Sequence, residues 1–328
     1  MKTINNILLF TAIGALLLSS CSRTAEPAIL GDGCVTFSAE LAAEATATAD
    51  DASGSKAATK AAQINSISKF KVTAWNNNGS DHGSFISGYQ EYNYTSGTVS
   101  TSIRWTKPYA KVFYAYANLP ESGATVTSAD YTGQTLTYTV PADAANQNDI
   151  LMGTYSGEGA NPSNTSRTAA LNFKHALTAV VFKTGTLTNV KKITGITLKG
   201  VYASGSVTQG SNGTFADWTG TSATLDVTQT ISADLPTTAG AAIGIPFILI
   251  PQTNAAGIEV EMELTLTDDT TMTCTGTLGK TTGGISWLAG KTNTYTISVS
   301  GLNTLSFEYS ITEWGDVDGD PITMQDPA

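Results

Sequence analysis

Charge is the first thing in short supply. Asp, Glu, Lys and Arg make up 13% of the 328 residues, about half of the roughly 25% usual in soluble domains. No run of Lys or Arg occurs and the formal net charge is −10. No basic cluster is present to neutralise a phosphate backbone, which argues against nucleic acid as a partner. Cysteine is scarce too. Cys21, Cys34 and Cys274 are the whole supply, too few for a disulfide framework. Cys34 and Cys274 read as small buried hydrophobes. The two histidines, His82 and His175, stand far apart and make no zinc set with those cysteines. His82 lies in an Asn- and Gly-rich loop and reads as solvated. His175 lies among apolar residues and reads as a core histidine. Beyond residue 20 no apolar run is long enough to span a bilayer, and helical periodicity never persists beyond about a dozen residues.

What is present begins with a leader. Lys2 precedes an apolar stretch at 7–18, which ends in Leu18-Ser19-Ser20-Cys21. That stretch is too short to cross a bilayer and reads as a signal peptide. Small residues before Cys21 resemble the lipobox of bacterial lipoproteins, where the cysteine becomes the acylated N-terminus. An ordinary secretory signal with an incidental Cys21 is the alternative. Residues 35–41 alternate weakly and read as one strand. Residues 42–63 are mostly Ala, Thr, Ser, Asp and Lys, a composition that builds no core. Lys56 and Lys60 lie in it, so the stretch is either an inert spacer or a segment meant to be cut.

From residue 69 onward, strands follow at short spacing. Phe70, Val72 and Ala74 alternate with polar residues, and 111–119 is apolar on both faces, which predicts a central strand. The cleanest pattern is Ile258, Val260, Met262, Leu264 and Leu266 against Glu259, Glu261, Glu263, Thr265 and Thr267, a strand with one wet face. Many short strands between turn signals predict β-sandwiches. The polar stretch 153–166 is the best internal boundary.

Catalytic signals are weak. No Gly-x-Ser-x-Gly elbow occurs. The segment 284–292 resembles a phosphate-binding loop, but five residues separate Gly284 from Gly290 where the motif has four, and a strand pattern follows it. Asp316, Asp318 and Asp320 resemble part of a calcium loop whose twelfth position would be Pro327, which cannot ligate. Glu259, Glu261 and Glu263 are more simply a solvated strand face than a catalytic pair. No enzyme activity, cofactor or metal is expected.

Several segments carry a resemblance when taken in order. They are the lipobox, Thr59-Lys60-Ala61, NDILMG at 148–153, LNFKHALTAVVFK at 171–183, FILIPQ at 247–252, WLAGKTNTYTISV at 287–299 and FEYSITEWGD at 307–316. Together they resemble the fimbrillin (Mfa-like) family, subunits of type V pili. The resemblance implies an all-β chain of two tandem transthyretin-like Greek-key β-sandwich domains, here 61–160 and 161–328. They would follow a signal peptide at 1–20 and a lipidated propeptide at 21–60. It implies acylation at Cys21, carriage to the outer membrane, and cleavage after a basic residue, Lys60 or Lys56. The family's known sites are at Arg, and these candidates are Lys. It also implies that 35–41 is a placeholder strand, with Phe37 and Leu41 plugging a groove and Val35 and Ala39 on the same side. A strand from a neighbouring subunit would replace it, giving a head-to-tail polymer in a fimbrium, able to present an adhesive face to a host or bacterial surface ligand. The donor stays open between the short tail with Val317, Ile322 and Met324 and the strand at 305–311. The rival reading is a monomeric cell-surface lipoprotein that binds glycan through exposed aromatics such as Trp75, Trp105 or Trp218. It requires those rings on one exposed face.

Overall fold

The computed structural model describes residues 34–41, 67–77, 79–94, 97–105, 110–157, 168–232, 234, 239–279, 283–299 and 305–314. Among them the chain is almost entirely strand, and its one helical element is a 3-10 turn at Ala144–Asn146, capped by Asp143, whose carboxylate accepts from the Ala145 N–H. In chain order the strands are β1 (Cys34–Leu41), β2 (Lys69–Asn76), β3 (Ser84–Asn93), β4 (Thr98–Arg104), β5 (Lys111–Ala117), β6 (Ala124–Asp130), β7 (Gly133–Thr139), β8 (Leu151–Gly157), β9 (Thr168–His175) and β10 (Thr178–Leu187). They continue with β11 (Val190–Tyr202), β12 (Ser204–Gly210), β13 (Thr224–Thr230), β14 (Ala242–Leu249), β15 (Gln252–Asn254), β16 (Ile258–Leu266), β17 (Thr271–Leu278), β18 (Ile285–Trp287), β19 (Lys291–Val299) and β20 (Leu305–Glu313).

The first layer is a seven-stranded sheet in the order β3-β2-β5-β8-β9-β1-β4. Its terminal strands β3 and β4 are consecutive in the chain, so the sheet curls back on itself. The curl brings Phe37 of β1 against Phe70 of β2 and Phe113 of β5, although other strands intervene in the ladder. Phe70, Val72, Ala74, Phe113, Ala115, Ala117, Leu151, Leu171 and Phe173 line this inner core. β5 is buried on both faces, as its two-sided apolar pattern predicts.

Its other face carries Tyr114 and Tyr116 and is covered by a three-stranded sheet, β12-β7-β6. Two buried glutamines join the layers. Gln134 Nε2 lies within hydrogen-bond distance of the Ala115 and Gly153 carbonyls and of Gln209 Oε1, and Gln209 donates to the Met152 carbonyl. A buried amide left without partners costs about 1–3 kcal/mol, so these bonds also hold the layers in one register.

The second sandwich packs the sheet β14-β10-β19-β20 against the sheet β13-β11-β16-β17. Phe182, Phe247, Tyr295 and Ile297 from one sheet meet Ile196, Val227, Val260 and Met262 from the other. β16 alternates as read, with Ile258, Val260, Met262 and Leu264 inward. Outside, Lys199 pairs with Glu259 and Glu261 at 2.9 and 2.7 Å. The segment 284–292 forms β18 and the start of β19, so no helix N-terminus is there for phosphate.

Three pairings cross the 160/161 line drawn from the polar stretch. β9 pairs with β8 and with β1 inside the seven-stranded sheet, and β12 pairs with β7 along its whole length, from Ser204↔Thr139 to Gly210↔Gly133. One continuous core runs from Leu136 and Val207 in the three-stranded sheet to Trp287 and Tyr295 in the second sandwich.

Candidate assembly site

β1 supplies part of the inner core of the seven-stranded sheet, and its chemistry is simple. Alternation in CVTFSAEL turns Val35 and Phe37 inward, where both are fully buried. Ala39 and Leu41 follow on the same side, partly buried against the same core. Phe37 stands edge-on to Phe70 (6.0 Å), Tyr92 (5.2 Å) and Phe113 (5.8 Å). Its ring is the plug that the curled sheet closes around.

The ladders of β1 are long-range on both sides. It runs parallel to β9 from Thr36↔Thr168 to Leu41↔Phe173 and antiparallel to β4 through Phe37↔Val99 and Ser38↔Thr98. Side chains add to the main-chain bonds. Thr101 donates to the Val35 carbonyl at 2.8 Å and Tyr94 to the Ala39 carbonyl at 3.0 Å. Thr36 and Thr168 share a hydroxyl bond at 2.8 Å, 132 residues apart. Every described ladder partner of β1 comes later in the chain, and residues 42–68 separate it from β2. Removing β1 would leave β9 with a bare edge, and β4 with no described ladder partner.

Four of the segments quoted above meet at a second locus. His175, the last residue of β9, places Nδ1 at 2.9 Å from both carboxylate oxygens of Asp149. Trp314 stacks on the imidazole at 4.4 Å and 8°. The Gly290 N–H donates to the Leu177 carbonyl and the Trp314 N–H to the Gly290 carbonyl, both at 2.9 Å. His175 is thus a core histidine with a buried carboxylate partner, which spacing alone did not reveal. The signal that could have found it is that Asp149, His175 and Trp314 all lie inside the segments carrying the resemblance.

Burial holds the Asp149 carboxyl above the usual carboxylate range, and the contact with His175 works partly against this. A carboxyl raised in the folded state binds more protons there than in the unfolded chain, so its penalty is complete at higher pH and is relieved as pH falls. Asp149→Asn removes that dependence. In urea titrations at several pH values, the stability of the unmodified chain relative to the variant is expected to rise as pH falls from neutral towards about 3.9.

Gly153 also acquires a reason. It lies opposite Phe173 in the β8–β9 ladder, and a Cβ there would sit 2.9 Å from the ring. Gly153→Ala is expected to cost about 1–3 kcal/mol through that overlap, readable as a lower denaturation midpoint.

Other sequence expectations change. His82 is half-buried and stacks on Tyr131 at 3.7 Å and 9°, so it is not simply solvated. Trp105 is buried over Phe113, and Trp75 donates to Ser128 while half-buried. Trp218 packs against the second core. These rings form no exposed platform, because each fills space in the core or between layers, and this removes the stated basis of the glycan reading. Leu288 is the one large hydrophobic that is exposed among the described residues. Cys274 is buried and free, and burial pushes its thiol up. No group of three or more His, Cys, Asp or Glu is arranged for a metal among the described residues. Cys21, Lys56, Lys60 and the tail after Trp314 lie outside them.

Residues 55–314 match the family described as fimbrillin-like. The chain belongs to that family. Fimbrillin-like proteins are structural pilus components, not enzymes. No curated protein sequence matches this fimbrillin-like chain. Among solved structures it is similar to a candidate cell adhesion protein of Bacteroides ovatus, with 16% identity, a TM-score of 0.56, and coverage of 88% of this chain and 100% of that one. A second, from Bacteroides uniformis, shows 15% identity, a TM-score of 0.52 and coverage of 77% and 95%. The C-terminally truncated tip fimbrial protein Mfa3 of Porphyromonas gingivalis shows 8% identity, a TM-score of 0.48 and coverage of 86% and 100%. The first two share the fold of this fimbrillin-like chain.

Proposed function

We propose that this chain is a structural, tip or accessory subunit of a fimbrium that serves cell adhesion. It is exported as a lipoprotein acylated on Cys21, cut after Lys60 or Lys56, and assembled by donor-strand exchange at the outer membrane. The observation that carries the reading is the place of β1. This strand is fully integrated in a sheet, with Val35 and Phe37 completely buried, yet all its partners are remote in sequence. Both lysines lie in the 42–68 segment that ties β1 to the rest of the molecule. A cut there turns an intramolecular strand into a bound peptide, held by main-chain bonds and one aromatic plug. Another subunit's strand can compete for those same bonds and that pocket. Such contacts are head-to-tail and do not close, so they propagate as a fibre.

The test is the N-terminus of the protein taken from the cell surface, read by mass spectrometry beside its mobility in SDS gels. An N-terminus at Ala61 or Ala57, with a ladder of SDS-resistant oligomers, is the expected result. A chain that still begins at an acylated Cys21 and stays monomeric would overturn processing and polymerisation.

A further inference from the structure

Sheet edges invite pairing with other chains, and native proteins blunt them with charge, proline, bulges or cover. Nearly every long edge of this molecule carries such a device. β3 bears Glu91, a left-handed Gly88 and a register shift, while β4 ends in Arg104 and follows β3 around the curl. β6 is bulged and ends in Asp130. β12 is capped by bridges to Phe215 and Thr219. β13 carries Asp226 and is covered by the Ala142–Thr228 main-chain bond. β14 contains Pro246 and left-handed Gly244 opposite a bulge, and β20 carries Glu308 and Glu313.

β17 is different. Its sequence, TMTCTGTL, has no charge and no proline, and it pairs with β16 without any register shift from Ile258↔Leu278 to Thr265↔Thr271. Residues 271–278 make no main-chain hydrogen bond to a described residue outside that ladder. The hairpin defines which groups are free. The Leu266 N–H donates to the Thr270 carbonyl at 2.8 Å, so alternation along an antiparallel ladder directs Met272, Cys274, Gly276 and Leu278 at β16. The N–H and C=O groups of Thr271, Thr273, Thr275 and Thr277 face the open edge.

We propose that β17 is a self-association edge. Two copies of this chain pair through it antiparallel, about a two-fold axis at Cys274. In that register Thr271 meets the partner's Thr277 and Thr273 meets the partner's Thr275. All four free threonine positions become hydrogen-bonded pairs, giving about eight main-chain bonds. Thr–Thr neighbours across strands are a favourable β-branched pairing. On the inner side Met272 lies opposite the partner's Gly276, large against small, and Gly276 is itself obliged to be small because Phe307 sits beneath it. The occupant is a second copy because the stripe is uncharged and matches itself when inverted. The acidic faces tolerate the pairing: the two β16 strands, bearing Glu259, Glu261 and Glu263, stand three strand spacings apart, about 14 Å. This exceeds the screening length of about 8 Å at physiological salt. The contact is isologous and closes at two copies. It uses neither β1 nor the linker, so it does not depend on the fimbrial reading.

The experiment uses the uncleaved full chain with Cys21→Ser and Cys34→Ser, in sedimentation equilibrium from micromolar to submillimolar concentration. A reversible monomer–dimer equilibrium is expected. Thr275→Lys places a charge on the edge and should weaken association by about tenfold or more, while unchanged near-ultraviolet circular dichroism shows that the variant is folded. Cys274 stands opposite its own copy at about 4.5 Å between Cα atoms, within disulfide range. Copper(II)–phenanthroline as oxidant is therefore expected to join two Cys274 thiols into a covalent dimer, lost in Cys274→Ala. A chain that is monomeric throughout would overturn the proposal. So would a dimer indifferent to Thr275→Lys, or one whose Cys274 residues never join.

Discussion

Phe37→Ala is expected to lower the stability of the seven-stranded sheet by about 3–5 kcal/mol, the range for truncating a fully buried phenylalanine. The upper part of that range applies if the site cannot collapse. Phe37 touches rings from β2, β3 and β5 at once, and those strands are held by their own ladders, so the neighbours have little freedom to fill the hole. Chemical denaturation followed by aromatic circular dichroism measures the loss. A second readout bears on function. Once the chain is cut between β1 and β2, the same substitution should speed release of the β1 peptide, because the main-chain bonds remain and the aromatic anchor is gone. A change below about 1 kcal/mol would mean that the curl of the sheet closes without the plug.

Asp149→Ala is expected to be about as damaging, at about 3–5 kcal/mol, the cost of breaking a buried charged or hydrogen-bonded pair by removing one member. The His175 ring is buried, and its Nε2 already makes no hydrogen bond to a described residue. Removing the carboxylate leaves Nδ1 without its partner as well. The damage should spread, because Trp314 lies on that ring and the Trp314 N–H ties β20 to Gly290. Thermal unfolding gives the size of the effect, and a shift of tryptophan emission reports the loosening of Trp314. Asp149→Asn keeps a hydrogen-bonding group and should cost less, which separates the bond from the packing.

The strands that were easiest to read are those with one wet face. β16 alternates because one side meets solvent and the other meets the facing sheet with Phe182 and Ile297, and that asymmetry is written residue by residue. β5 was legible for the opposite reason, since both its faces are covered and almost every position is buried. The plug residues of β1 were legible as an inward set, because Val35, Phe37, Ala39 and Leu41 share one parity. The sequence offered no comparable cue to the pairing of β12 with β7, or of β9 with β8 across the polar stretch. Partner choice depends on contacts between segments dozens of residues apart, and local alternation is blind to them. The two glutamines that hold the layers together look like any polar residues of a strand until their neighbours are known. His175 reads as a core residue from its apolar neighbours and is buried, but its carboxylate partner belongs to another strand connection and is visible only in three dimensions.

What the amino-acid sequence determined alone is the class of molecule. Scarce charge, no helical period and short alternating runs lead to an all-β chain. The order of its segments points to fimbrillin-like proteins. Tertiary structure decided the rest. It seated β1 between β9 and β4, curled one sheet so that Phe37 closes it, gathered Asp149, His175 and Trp314, and left β17 paired on one side alone among the described residues. The physical reason is the same in each case. Periodicity is a property of neighbours along the chain, whereas pairing, cover and the burial of a charge depend on which distant strand arrives alongside.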